Sequence, residues 1–375
     1  MVAIDRADID ADGLAERLDA FPGVSRLREA ARGVNAFLVG GAVRDALLGA
    51  GRADLDVVVE GELTQLAEAL GGELREHQRF STATLVLEGS LQVDIARSRA
   101  EDYQRPGALP DVRPAPLADD LSRRDFTVNA MAIPLAGGGE LIDAQGGLED
   151  LRAGVLRVLH PRSFSDDPTR ALRAARYAAR LGLELETRTD ELLRATTDLT
   201  TISADRLDAE LKKIAAEPEA ARALELLGEW GVLELDDYAA ELVRRLDALL
   251  AAPPWAGYAD RVAAVAEIAR GAVAEPAALP DSPPGSPSAS HRLAAGHTPE
   301  SLAIARARGA RWLDDYAGSW RHVTLEIDGD DLLEAGVAQG PALGRGLRAA
   351  LDAKIDGEAS GREQELAVAL RAARR

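Results

Sequence analysis

The apolar spacing of this chain changes character once, near residue 165, and that change limits what it can fold into. Before it, short runs cluster or alternate as strands do: Phe37-Leu38-Val39, Leu55 with Val57 to Val59, Ala83 to Leu87, Leu91 to Ile95, and Phe126 to Ile133. After it, residues 168–182, 187–197, 204–216 and 218–229 carry only the helical period, built from Ala, Leu, Arg and Glu. The pattern predicts a mixed α/β head followed by an all-helical remainder. At 375 residues, two or three domains of ordinary size are expected. Residues 1–35 and 62–70 read as helical, and the runs on either side of Glu88-Gly89-Ser90 read as a hairpin. Residues 98–118 hold four prolines and read as a long loop, and Gly137 to Gly139 as a turn. Glu275 to Ser290 holds five prolines and reads as a flexible interruption, in which Asp281 to Pro287 forms no regular element.

Composition removes several kinds of chemistry. There is no cysteine, so disulfides, thiolate zinc sites and cysteine nucleophiles are excluded. Five scattered histidines form no H-x-x-x-H pairing, which speaks against a histidine-built metal centre. No apolar run approaches the ~20 residues of a membrane span, and the acidic stretch Met1 to Asp12 resembles no targeting peptide. A cytoplasmic protein with no membrane partner is expected. The net charge of −19 argues against a polyanionic partner until its distribution is considered. Between Arg152 and Arg180 stand seven arginines against Asp166 and Asp167 alone, a local +5 able to hold a triphosphate or a nucleic-acid backbone. Only three basic residues are lysine (Lys212, Lys213, Lys354); in so Ala-rich a chain this reads as compositional bias and carries no functional inference.

Four constellations carry chemistry. Asp54-Leu55-Asp56 sets two carboxylates at i and i+2, on one face of a strand. Alone this is ordinarily a solvated strand edge, but the apolar Val57 to Val59 that follow make it half-buried, and a half-buried strand end holding two adjacent carboxylates calls for a cation such as Mg²⁺. Gly40-Gly41 ahead of a helix with Arg44 and Asp45 suits a phosphate, although a plain strand-to-helix turn has the same sequence. No Gly-Lys-Ser/Thr follows, so it is not a Walker loop. Arg123-Arg124-Asp125 is the third. The fourth, Asp166-Asp167-Pro168-Thr169-Arg170, also reads as a routine helix start, an Asp cap with Pro just inside.

The four occur in the order of one family. Gly40-Gly41-Ala42-Val43-Arg44-Asp45-Ala46-Leu47-Leu48-Gly49 followed by Asp54-Leu55-Asp56 resembles the signature of class II tRNA nucleotidyltransferases, the CCA-adding enzymes and bacterial poly(A) polymerases. Arg123-Arg124-Asp125-Phe126-Thr127-Val128-Asn129-Ala130-Met131-Ala132 matches their second motif nearly letter for letter. Asp143 to Leu151, Arg157-Val158 and Ser163 to Ala179 look like the third and fourth. Leu325 to Leu332 and Gly340-Pro341-Ala342-Leu343-Gly344 are like the family's tail. The likeness is dense over 36–215 and 323–355 and vague over 230–300.

The resemblance implies an α+β nucleotidyltransferase head over residues 1–160, a helical neck over 161–217 and an all-α body and tail over 218–375. It implies Asp54 and Asp56 as ligands of two Mg²⁺ ions, with Asp94 as a supporting carboxylate. It implies that Gly41, Arg44 and Arg124 hold triphosphate and ribose, with Asp125 near the sugar hydroxyl. Arg173 and Arg176 would also meet the nucleotide, from the helix that bears Arg170. Asp166 stands where the family often has Glu. Asp167 and Arg170 would read the base: cytosine and adenine each present an amine beside an unprotonated ring nitrogen, and a carboxylate with a guanidinium complements that edge.

The activity so implied is template-independent CCA addition to tRNA 3′ ends from CTP and ATP, the tRNA being held by its acceptor end and upper half. Enzymes adding only A or only CC share the motifs. A shortened loop goes with CC-only addition in this family, and 98–118 is full length. His77-Gln78-Arg79-Phe80-Ser81-Thr82 lacks the basic run of the poly(A) branch. An inactive RNA-binding relative is the alternative of a different class, disfavoured by intact Asp54, Asp56 and Arg124.

Overall fold

The computed structural model describes residues 6, 9–49, 54–71, 73–77, 82–86, 92–136, 139–235, 238–271 and 279–374. The Glu88-Gly89-Ser90 turn, residues 78–81, Gly137 and Gly138, and 275–278 of the Pro-rich stretch lie outside them. The chain divides into two compact units, one of Met1–Glu210 with Leu226–Glu234 and one of Leu211–Glu225 with Leu235–Arg375.

Ten strands occur among the described residues: β1 (Ala36–Val39), β2 (Leu55–Val59), β3 (Glu73–His77), β4 (Thr82–Val86), β5 (Gln92–Arg97), β6 (Arg99–Asp102), β7 (Asp111–Pro114), β8 (Ala132–Pro134), β9 (Val155–Leu156) and β10 (Glu184–Leu185). All belong to the first unit. Its sheet runs β3-β4-β5-β2-β1-β8. Only β2 and β5 pair in parallel within it, and their register sets Asp56 beside Asp94. β4 and β5 pair as the expected hairpin. On the face of β2 that bears Asp56, Val58 packs with Phe37 and Val39 against Leu117 and Leu121 of the helix Leu117–Ser122. That helix delivers the chain directly to Arg123 and Arg124.

Several expectations need correction. Residues 98–118 are not a loop: β6 and β7 form a two-stranded antiparallel ribbon leading into the helix. Pro106 and Pro110 fall between the strands, Pro114 ends β7, and Pro116 precedes the helix, all places where a missing N–H is tolerated. Polar pairs across the ribbon take the role of apolar alternation, such as Gln104 donating to Asp111 at 2.9 Å. Phe126 to Ile133 is a strand only at its end, because Thr127–Asn129 is a 3₁₀ turn. Asn129 donates to Asp125 (3.0 Å), a local bond that competes with a ladder, and Thr127 is tied to Asp150 (2.6 Å), 23 positions away. β3 was not expected, nor was β10 beyond residue 165, a two-residue strand parallel to β9.

The second unit is helical. The final helices Gly329–Glu334, Pro341–Ile355 and Arg362–Ala373 close around Ile327, Leu332, Ala350 and Ala369. The Pro-rich segment is also corrected at its end: Pro287–Ala294 is a helix, with the Ser286 hydroxyl accepting from the Ala289 N–H and Pro287 in the first turn. Buried Ser288 donates to Asp356 through backbone N (2.8 Å) and Oγ (2.7 Å), and Trp312 Nε1 donates to the Pro280 carbonyl (2.7 Å). No described helix is long and apolar enough to cross a membrane.

Candidate active site

β1 hands the chain to Gly40, at φ 65° and ψ −120°, from which the helix Gly41–Leu47 starts. An L-residue does not adopt that backbone without strain. A Cβ there would also lie 3.0 Å from Nη1 of Arg124, so the glycine leaves room for a guanidinium across the turn.

Asp54 lies exposed at the entry to β2, Asp56 half-buried within it, and Asp94 on the adjoining β5, where Thr84 donates to it at 2.7 Å. Burial pushes the Asp56 carboxyl up to about 6; Arg124 opposes the shift, while Asp94 and Asp54 add to it. A carboxylate desolvated beside two others stays above its ordinary value despite Arg124 and Arg173, and hard oxygen donors match Mg²⁺. Among the described residues no three such side chains converge as a ready-made cage.

Arginines face these carboxylates, each held by an acid. Arg124 donates to buried Asp120 from Nη2 (3.0 Å) and Nε (3.3 Å). Arg123 donates to the other oxygen of Asp120 (2.6 Å) and to Glu101 (2.8 Å). Arg173 bonds Oδ2 of Asp125 from Nη2 (2.6 Å) and Nε (2.8 Å). Asp125 Oδ1 accepts from Asn129, whose own oxygen accepts from Arg44 at 2.5 Å. Arg44 in turn bonds Asp45, which Arg180 also reaches at 2.9 Å. The result is a hydrogen-bonded chain running from half-buried Arg173 through buried Asp125, Asn129, Arg44 and Asp45 to half-buried Arg180, in which acids and arginines alternate except at neutral Asn129. Burial alone would raise the Asp125 carboxyl, but Arg173 and Asn129 overcome it and hold it at about 2. The Tyr177 ring supports the layer, with the Arg176 guanidinium 4.5 Å, Arg44 5.2 Å and Arg173 5.5 Å from its centroid.

Asp167 precedes the helix Thr169–Leu181, and Arg170 sits in its first turn. Oδ1 of Asp167 accepts from the Thr169 N–H (3.0 Å), the Thr169 hydroxyl (2.7 Å) and Arg206 Nη2 (2.8 Å). No bond from a described residue engages Oδ2. Arg170 donates to the Arg123 carbonyl (2.7 Å) and to Ser163 (3.2 Å).

A cavity of about 670 Å³ gathers most of these groups. Gly41, Asp56, Asp94, Arg124, Asp125, Asp167, Arg170 and Arg173 line it. Three expected residues are not on its wall. Asp54 stands at the strand entry; Arg44 is buried at 2% exposure, below the Gly41 turn; Arg176 lies against Tyr177. Residues that sequence reasoning passed over do line it, including Asn129, Tyr177, Arg206, Glu101 and Tyr103. Asn129 lay inside a quoted motif and was findable; Arg206, distant in sequence from Asp167, gave no local signal.

Residues 36–157 match the family of the poly(A) polymerase head domain. The chain is 41% identical over 323 residues to the CC-adding tRNA nucleotidyltransferase of Deinococcus radiodurans, covering 83% of this chain and 82% of that one. It is 43% identical over 214 residues to the A-adding tRNA nucleotidyltransferase of Halalkalibacterium halodurans, 53% of this chain and only 50% of that relative's length. The Thermotoga maritima CCA-adding enzyme complexed with tRNA superposes at a TM-score of 0.70 with 28% identity, over 98% of this chain and 97% of that one. On that extent of shared sequence and fold, the chain belongs to the tRNA nucleotidyltransferase family.

Proposed function

We propose that the protein adds CCA to the 3′ ends of tRNA, using CTP and ATP, with two Mg²⁺ ions held by Asp54 and Asp56 and supported by Asp94. The observation that carries the reading is one cavity shared by three chemistries: the carboxylates Asp56 and Asp94, the cations Arg124 and Arg173, and the pair Asp167 and Arg170. When bound, the metals supply charge at the triphosphate and at the attacking hydroxyl. Arg124, beside the Gly40-Gly41 turn, meets the phosphates. Asp125 faces the sugar, oriented by Arg173 and Asn129. Asp167 accepts from the exocyclic amine of cytosine or adenine while Arg170 donates to the adjacent ring nitrogen. Uracil and guanine present a carbonyl and an N–H there, so both contacts fail, a difference of about 1–3 kcal/mol.

A second reading, CC-only addition, draws support from the identity to the Deinococcus enzyme across most of both chains.

The test is incubation with tRNA ending before CCA, after C and after CC, with CTP and ATP supplied separately and together. Complete addition extends all three ends, CTP serving the first two and ATP the third. Failure of the CC-ended tRNA to accept AMP leaves CC-only addition. Failure of all three to accept any nucleotide overturns the reading.

A further inference from the structure

Asp120 is fully buried at 0% exposure and is not on the wall of the cavity. Its carboxylate is saturated with donors. Oδ2 takes Nε and Nη2 of Arg124; Oδ1 takes Nε and Nη2 of Arg123 and the backbone N–H of Arg99 (3.3 Å). A carboxylate removed from water at that depth persists as an anion only if so matched. Accordingly its proton affinity lies below the ordinary value: burial acts upward, and Arg124 and Arg123 outweigh it.

The geometry divides the Arg124 guanidinium into two edges. Asp120 occupies the Nε/Nη2 edge. Nη1 is left over Gly40, 3.0 Å from where a Cβ would stand, with no bond to any described residue. Arg124 is also the strongest positive influence on Asp56. An Arg124 released from Asp120 has a competing anion nearby, and pairing there would remove both a phosphate contact and a metal ligand.

We propose that Asp120 is a positioning residue for nucleotide binding, holding Arg124 across the Gly40-Gly41 turn with its free edge toward the triphosphate. This rests on the nucleotidyltransferase reading above. The buried carboxylate works through Arg124 and touches no substrate. Its bond to Arg99 also ties the base of the β6–β7 ribbon to the same anchor.

The experiment measures CTP binding by equilibrium dialysis, and KM for CTP and for tRNA, in the full chain with Mg²⁺. Asp120→Asn weakens CTP binding about tenfold or more, the worth of a charged hydrogen bond, with KM for tRNA unchanged. In an Arg124→Ala background the same change adds less than about twofold, because the effect passes through Arg124. A folded Asp120→Asn that binds CTP as the wild type does, or an effect that adds fully to Arg124→Ala, overturns the proposal. Arg124→Lys is a second probe that keeps the buried charge balance. One ammonium cannot serve both Asp120 and the Gly40 edge, so it binds CTP as poorly as Arg124→Ala; wild-type affinity in Arg124→Lys also overturns the proposal. A wild-type protein that binds no CTP refutes the functional reading instead.

Discussion

Arg206 Nη2 lies 2.8 Å from Oδ1 of Asp167, and its Nη1 lies 2.8 Å from the carbonyl oxygen of Gly107. One guanidinium thus joins the helix start at Asp167 to the turn of the β6–β7 ribbon. The Gly107 N–H also donates to the carbonyls of Ser165 and Asp166, both at 3.2 Å. The ribbon turn and the proposed base-reading carboxylate are therefore held as one piece.

Asp167→Ala is expected to do two things at once, because Oδ1 caps Thr169 while Oδ2 has no described partner. Stability falls by about 0.5–2 kcal/mol, the worth of a cap, and misincorporation of UTP rises. Thr169→Val removes only the hydroxyl bond to Oδ1 and leaves selectivity intact. Thermal melts and single-nucleotide UTP assays on both variants check this. A destabilised Asp167→Ala that still rejects UTP would reduce Asp167 to a helix cap.

Gly107→Ala is expected to detach the ribbon turn. Gly107 has φ 68°, and a Cβ would fall 2.3 Å from Thr201 Oγ1 and 2.7 Å from the Thr201 carbonyl oxygen. The second clash is with backbone, so Thr201→Ala does not rescue the variant. Faster proteolytic cleavage within residues 103–110, in the single and the double variant alike, is the expected readout.

Arg173→Met strands the Asp125 carboxylate, which is only 7% exposed. Removing one partner of such a pair costs about 3 kcal/mol, the low end of the usual range because Asn129 still donates. The sign of the pH dependence follows from the depressed carboxyl. Its stabilisation is complete above the ordinary value near 3.8 and is lost as pH falls through about 4 toward 2. Urea titrations at pH 7 and at pH 3 should therefore show the gap between variant and wild type narrowing in acid.

Asp56→Asn relieves burial and repulsion at a group whose carboxyl is pushed up to about 6. In EDTA at pH 8 the variant should melt higher than the wild type, by about 2–6 °C for ~1–2 kcal/mol. Added Mg²⁺ should raise the wild-type midpoint and leave the variant's unmoved, and the variant should transfer no nucleotide. A wild type that melts identically with and without Mg²⁺, with or without CTP, would count against a metal at Asp56.

Ser288→Val removes a hydroxyl that donates to Asp356 inside the second unit. Loss of that buried bond is expected to cost about 1–3 kcal/mol. Replacing 281–285 with a Gly-Ser linker should leave CMP incorporation within a few-fold. The two results together place the boundary of the dispensable stretch before Ser286.

What was legible in the chain was whatever depends on neighbours in sequence. Gly40 and Gly41 after three apolar residues, two acids at i and i+2, and Pro168 ahead of a helical run each announce a local backbone state. β3 escaped because Glu73-Leu74-Arg75-Glu76-His77 carries one apolar residue and little alternation. The ribbon escaped because its strands are mostly polar and solvent-facing, as at Arg113 and Asp102, so no apolar alternation marks it. The hydrogen-bonded chain from Arg173 to Arg180 escaped because its links are long: Arg44 to Asn129 spans 85 positions and Asp45 to Arg180 spans 135. Arginines read from sequence as equivalent phosphate ligands thus divide into those on the cavity wall and those that brace it.

Val58 and Asp56 share one face of β2, with Val58 packed against Leu117 and Leu121 two positions from the carboxylate. Evolution cannot adjust these two surfaces independently. A bulkier residue at Val58 or Leu121 tilts the strand that aims Asp56 and shifts the helix that carries Asp120, so residues remote from any nucleotide inherit a share of the selection on turnover. Pairwise epistasis in a mutational scan should accordingly link Phe37, Val58 and Leu121 to the acids as tightly as the acids are linked to one another.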